Sequence, residues 1–474
     1  MTPRKPKADQ FLYVIVLLCL FSFKMVFIGV GESGIRPDDL LILIAFVVLL
    51  VRGDLRRVTR SLPFKLYLGF VVINVVSAVW NSVVGRVSPL ISVFFVVRLL
   101  QYMIFYYLGF AIARSGRRIA PLMTAYLVVL AVVVPLQMFG LIPVPGAFAG
   151  IVSRAVGNTN GPYELAVVAA FLLCFLGYQL EGPLKGLTAF ALIILSASRI
   201  TFAATVLSGA RVMVQGTRSR LRLAATIVML LVVGGFGFAG YSVLAGNSGP
   251  KIEIFSRLST AASVIQGSEI AAVYDTVPVY HSSSDYIDGE FADAVTESVA
   301  AEGDKGEVSG AIRVLRWATL IKSTLAGVDT TLIGLGPSFG SAAVDGYFVR
   351  VFIETGVLGL VAFLAFAVAL LRERKTSSWA FREYVFILLA SCCFIDIGVS
   401  YKPMLLFWLW HGMNQFRSTE TADRPRSLFG GQWMHRARKT RTQPARQATI
   451  VSAASSMLKT SLLKTSCGSV RFTR

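Results

Sequence analysis

The chain has 474 residues, 55% of them hydrophobic and 15% charged, with a mean hydropathy of +0.67. That composition excludes a soluble globular protein and points to a polytopic helical membrane protein, so length gives no domain count. The formal net charge of +20 asks for an anionic partner, and where the charge sits along the chain decides which one.

Apolar segments follow one another at 11–30, 40–51, 64–82, 87–113, 119–141, 163–180, 184–197, 200–214, 223–245, 348–371, 384–399 and 404–416. They predict an all-α membrane protein with about twelve transmembrane helices. The first run, Phe11 to Val30, is too long for a signal-peptide core and lacks a small-residue cleavage site, so it reads as the first of these helices. The stretch Leu184 to Val214 allows either one long tilted helix or two short ones turning at Ser196-Ala197-Ser198-Arg199. Charge decides between them. Arg4, Lys5 and Lys7 precede the first helix, and basic connections hold Arg52/Arg56/Arg57/Arg60/Lys65, Arg114/Arg117/Arg118, Arg211/Arg218/Arg220/Arg222 and Arg372/Arg374/Lys375. All fall on one side only if 184–214 crosses twice, and positive charge favours the cytoplasm. Both termini are then cytoplasmic, and Arg154, Arg199 and the longest connection lie outside.

The resulting organisation is helices one to nine over 1–245, an extracytoplasmic loop over 246–347, helices ten to twelve over 348–416 and a basic cytoplasmic tail over 417–474. The loop carries thirteen Asp and Glu against six Lys and Arg, a net −7, which leaves +27 on the rest of the chain. The excess positive charge therefore faces membrane lipid headgroups, and nucleic acid is not expected as a partner. The tail, with Arg436, Arg438, Lys439, Arg441 and Arg446 among small polar residues, has the composition of a disordered segment lying on lipid. Lys24 reads as a snorkelling side chain.

No metal site or cofactor is expected. His281, His411 and His435 are few and scattered, and the five cysteines all avoid the external loop.

Within the loop, His281 to Glu307 is acidic, small and polar and reads as a mobile solvated segment. Residues 311–326 turn helical, with Val314, Trp317, Ala318, Ile321 and Leu325 as an apolar stripe and Arg313 and Arg316 projecting together away from it. That pattern predicts a helix lying on the membrane with two guanidinium groups above it. Gly334-Leu335-Gly336-Pro337-Ser338-Phe339 follows, a turn whose backbone N–H groups are expected to be exposed to a phosphate. Asp345-Gly346-Tyr347 then opens a helix interrupted early at Glu354-Thr355-Gly356. Arg350 and Glu354, four apart, read as a structural pair. Arg98, midway along its helix, reads equally as a tunnel residue or as a partner of Asp396 or a backbone carbonyl.

Several of these stretches together resemble the bacterial O-antigen polymerase and O-antigen ligase superfamily. The matching series is Arg154, Gly157-Asn158-Thr159-Asn160 with Leu165-Ala166, then Ser198-Arg199, then Arg313 with Trp317, Gly334 to Phe339 and Glu354 to Gly359. Two positions depart from the pattern. Thr159 stands where the family has Pro, and Asp345-Gly346 stands where the ligases have His-Asn.

The resemblance implies a metal-independent glycosyltransferase of the inner membrane that joins polyprenyl diphosphate-linked oligosaccharide repeat units on its outer face. Partners implied are that lipid-linked oligosaccharide, a chain-length regulator and a flippase. Departure of a diphosphate needs positive charge that cannot be lost, which arginine supplies in a bidentate fork. Arg199 and Arg313 are assigned this role, with Arg154 and Arg316 as second choices. The acceptor hydroxyl needs a carboxylate base, assigned to Asp345 with Glu164 as the alternative. Two other readings stay open: a ligase of finished polymer, against which the absent histidine counts, and a lipid-linked oligosaccharide flippase or other transporter, against which the lack of an internal repeat counts.

Overall fold

The computed structural model describes residues 6–22, 28–30, 33–57, 61–143, 155–178, 183–215, 274–288, 308–340, 344–373 and 377–423. The chain divides into a unit Met1–Ser418 and a second unit Thr419–Arg474, of which only the end of the last helix is described. The ninth apolar segment, Arg154 and Lys24 lie outside the described residues.

The described elements are helical except for a small antiparallel hairpin of β1 (Ile28–Val30) and β2 (Ser33–Ile35). The bundle is formed by α1 (Pro6–Phe21), α2 (Pro37–Val51), α3 (Asp54–Arg57), α4 (Leu62–Val83), α5 (Pro89–Arg114), α6 (Ala120–Met138), α7 (Pro162–Leu172), α8 (Pro183–Leu195) and α9 (Arg199–Gln215). The loop supplies α10 (Ser283–Asp288), α11 (Val308–Leu325) and α12 (Val328–Ile333), and the bundle closes with α13 (Tyr347–Arg372), α14 (Trp379–Cys392) and α15 (Tyr401–Asp423). Among the described residues, α4, α5, α6 and α13 are long and apolar enough to cross a membrane, and the apolar parts of α1, α7 and α8 are shorter.

Exposed apolar side chains mark the outer surface of these helices. On α4, Val72, Val75, Val76 and Val79 point outward, and on α2 Leu40, Leu43, Val47 and Leu50 do the same. Rows of exposed Val and Leu at helical spacing exceed what a soluble monomer carries and suit a hydrocarbon solvent. The described chain is thus an all-α membrane protein. Its interior is aromatic: Trp408 of α15 packs edge-on to Tyr67 of α4 at 4.8 Å between ring centroids, and Trp410 packs on Phe175 at 5.0 Å.

Local signals set several helix ends. Ser61 caps α4 by accepting from Phe64 N at 3.3 Å, and Ser378 caps α14 by accepting from Phe381 N. The stretch 184–214 is two helices, with the turn at Ser196 to Ser198 and Ala197 at φ 53°. Helix α13 breaks at Gly356 (φ 64°, ψ −162°), as expected of Glu354-Thr355-Gly356.

Ion pairs show how the helix ends sort. Asp54 holds Arg114 at 2.6 Å and Arg52 at 3.0 Å, and Arg211 lies 3.6 Å from Glu383, so these basic residues gather at one end of the bundle. The starts of α7, α9, α13 and α15 meet at the opposite end, where α11 and α12 also pack.

Candidate functional site

At that opposite end the most constrained feature is a turn. Asp345 has φ 57°, a left-handed conformation that Asp tolerates better than most residues. Asp396, which follows α14, fixes the turn by accepting from the N–H groups of Val344 (2.9 Å), Asp345 (3.1 Å) and Gly346 (3.2 Å). Trp317 of α11 closes it from the other side, donating from Nε1 to the Val344 carbonyl at 2.8 Å. A Cβ on Gly346 would come within 2.8 Å of the Trp317 ring.

The turn directs the Asp345 carboxylate to Arg313, Oδ2 to Nε 3.3 Å, with both side chains 36% exposed. The residue chosen for the diphosphate and the residue chosen as base are therefore partners. Beneath them lies a buried charge cluster: Arg350 is 1% exposed and bridges Asp396 at 3.3 Å and Glu354 at 3.4 Å while stacking its guanidinium over Phe95. The Arg350–Glu354 pair is structural, as its spacing predicts, and Asp396 serves Arg350.

The glycine turn has a different role from the one expected. Gly334 N donates to Thr330 O, Leu335 N to Ile353 O, Gly336 N to Glu354 O and Ser338 N to the Glu354 carboxylate at 3.0 Å. Those four N–H groups are consumed within the protein and are not exposed for a phosphate. The glycines are needed for close approach: a Cβ on Gly334 would overlap the Glu354–Thr355 peptide, and one on Gly356 would overlap Leu332 and Ile333. The break in α13 and the glycine turn are one interlocked backbone contact.

Helix α11 also departs from expectation. Ala318 is buried, and Val314 and Trp317 are buried against the chain's own Leu335, Phe339, Val344 and Ile353 rather than left as a face for lipid, while Leu325 at the helix end stays exposed. Arg313 and Arg316 diverge: the Arg316 guanidinium faces the Tyr286 hydroxyl while Arg313 meets Asp345. The first part of the segment read as mobile and solvated, 281–288, is docked, since Ser283 N donates to Arg86 O at 2.8 Å and Tyr286 stacks on Phe339. Residues 289–307 lie outside the described residues.

A second polar node lies at the start of α7. Glu164 is 1% exposed and accepts from Asn160 N at 2.6 Å and Lys402 N at 3.2 Å. Lys402 donates from Nζ to Asn158 O at 2.6 Å and Ser22 O at 2.9 Å, and Asn158 accepts from the Tyr126 hydroxyl. Glu164 thus ties α7 to α15, a structural use that leaves it a poor candidate for base. Arg199 opens α9, two residues before Thr201, whose hydroxyl lies 3.2 Å from that of Ser391 near the end of α14. The same end of the bundle therefore carries Arg199, Arg313, Asp345 and Glu164.

Asp396 and Lys402 are the residues that sequence reasoning underused. Both are ionisable groups between apolar runs, which is itself a functional signal in a membrane protein. Compared with known proteins, the chain matches no protein-family model and no curated protein.

Proposed function

We propose that this protein is a polysaccharide polymerase of the bacterial inner membrane, joining polyprenyl diphosphate-linked repeat units on the outer face, with about twelve crossings and both termini cytoplasmic. The observation that supports it best is the solvent-accessible Arg313–Asp345 pair on a turn braced by Asp396. A diphosphate arriving at Arg313 competes with Asp345 for the guanidinium, because two phosphate oxygens satisfy the fork better than one carboxylate oxygen at 3.3 Å. Asp345 is then released beside the reacting centre as a base. The acceptor hydroxyl attacks the anomeric carbon, the bond from that carbon to the diphosphate oxygen breaks, the proton passes to Asp345 and the polyprenyl diphosphate leaves with its charge held by Arg313 and Arg199.

Arg350, buried and bound to two carboxylates, supports the turn and stays out of the chemistry. Purified protein in proteoliposomes, given the lipid-linked repeat unit of its own host, should convert it to a ladder of longer lipid-linked glycans. Unchanged single units in the presence of correctly folded protein would reject the reading.

A further inference from the structure

Apart from the Arg313–Asp345 turn, the loop and bundle border a half-open cavity of about 160 Å³. Its walls come from three places in the chain: Arg86 after α4, Tyr280 and His281 before α10, and Ser323, Thr330 and Leu335 along α11, α12 and the glycine turn. That is smaller than the roughly 300–1,000 Å³ of sites for drug-sized ligands, so the cavity can take no more than one small ring.

The walls are well braced. Ser323 Oγ accepts from Tyr280 N at 2.9 Å and donates to Thr319 O, Thr330 Oγ1 donates to Gly327 O, and the Arg86 carbonyl anchors Ser283. Arg86 pairs with Asp329 at 2.7 Å and donates to Asn81 Oδ1 at 3.1 Å. Its charge is thereby balanced, and the cavity has no excess charge to attract an anion. What remains is the Tyr280 ring, the His281 imidazole, the hydroxyl oxygens of Ser323 and Thr330 and the apolar wall of Leu335. A pyranose presents the complement, with an apolar C–H face for a ring and a rim of hydroxyls that both donate and accept.

The geometry points to a subsite for one neutral sugar residue of the glycan, separate from the diphosphate site. Ser323 lies ten residues along α11 from Arg313, about 15 Å at 1.5 Å per residue. A sugar seated here is several units away from a diphosphate at Arg313, so the cavity reads the identity of the repeat unit while Arg313 and Asp345 handle the bond. This inference rests on the polymerase reading for its substrate class, and its test is independent of turnover.

The probe is the lipid-free oligosaccharide released by mild acid from the host's own lipid-linked repeat units, fluorescently labelled and titrated against the full chain in detergent. Wild type should bind it. Ala326→Trp, which fills the cavity from a turn position without removing a hydrogen bond, should weaken binding roughly tenfold or more. Arg313→Lys should bind the lipid-free glycan as wild type does while losing polymer formation. No binding to wild type, or undiminished binding to Ala326→Trp, overturns the subsite and leaves the polymerase reading to its own assay. Glycan binding with no polymerisation under any condition would retain the subsite and remove that reading.

Discussion

Asp396→Asn separates the brace from the chemistry, because Arg313 and Asp345 keep their own side chains. Asp396 has two oxygens that together accept three backbone N–H groups and face Arg350. Asparagine keeps one acceptor oxygen and turns an amide NH₂, a donor, toward donors. Either Gly346 N–H loses its acceptor at Oδ1, or Val344 N–H, Asp345 N–H and the Arg350 guanidinium lose theirs at Oδ2; in both cases Arg350, 1% exposed, retains only Glu354 at 3.4 Å as a charged partner. Removing one member of a buried ion pair costs about 3–5 kcal/mol, and the surviving Glu354 puts this case near 3 kcal/mol. Denaturant unfolding in detergent should show that loss. Polymer formation should also fall, because the Asp345 turn is no longer fixed. A variant within about 0.5 kcal/mol of wild type and fully active would refute the claim that Asp396 organises the turn.

Arg313→Lys should reach the membrane with unchanged stability, since a pair 36% exposed on both sides is worth at most about 1 kcal/mol. Its polymer output should still fall roughly a hundredfold, and full output would remove Arg313 from the site. Gly334→Ala and Gly356→Ala should each destabilise by about 3 kcal/mol or more, the added Cβ overlapping backbone that cannot move aside; thermal unfolding checks this, and neutral variants would contradict the interlocked contact. The hydrogen bond from Arg86 holds the Asp329 carboxyl below its ordinary value of 3.8. Its support for the docked loop is therefore complete above about pH 4 and lost as pH falls through the lower folded value. Limited proteolysis of the loop across pH 3 to 6 should show an acid-induced opening that Asp329→Asn removes, and identical profiles for the two proteins would count against the link.

Much of the bundle was legible because its signals are local. Serine caps, apolar runs and one-sided basic connections predicted helix ends and the double helix at 184–214, and glycine at 356 predicted the break in α13. The site was legible only in its residue list. Periodicity gave α11 an apolar face but could not say whether lipid or the chain's own Leu335, Phe339 and Val344 would cover it. The glycine turn carries the composition of a phosphate loop, yet Glu354, sixteen residues after Ser338, takes two of its N–H groups, a pairing across sequence distance that no local pattern encodes. Asp396 escaped for the same reason: Val344, Asp345, Gly346 and Arg350 all lie about fifty residues earlier.

If this chain elongates lipid-linked glycan, a strain lacking it stops at the first unit, and the size of its lipid-linked intermediates is the decisive measurement. Initiation and flipping remain intact in such a strain, so single repeat units should accumulate on the polyprenyl carrier at the outer face. Long polymer still attached to the carrier would contradict elongation in favour of ligation, and single units trapped on the cytoplasmic face would contradict it in favour of transport.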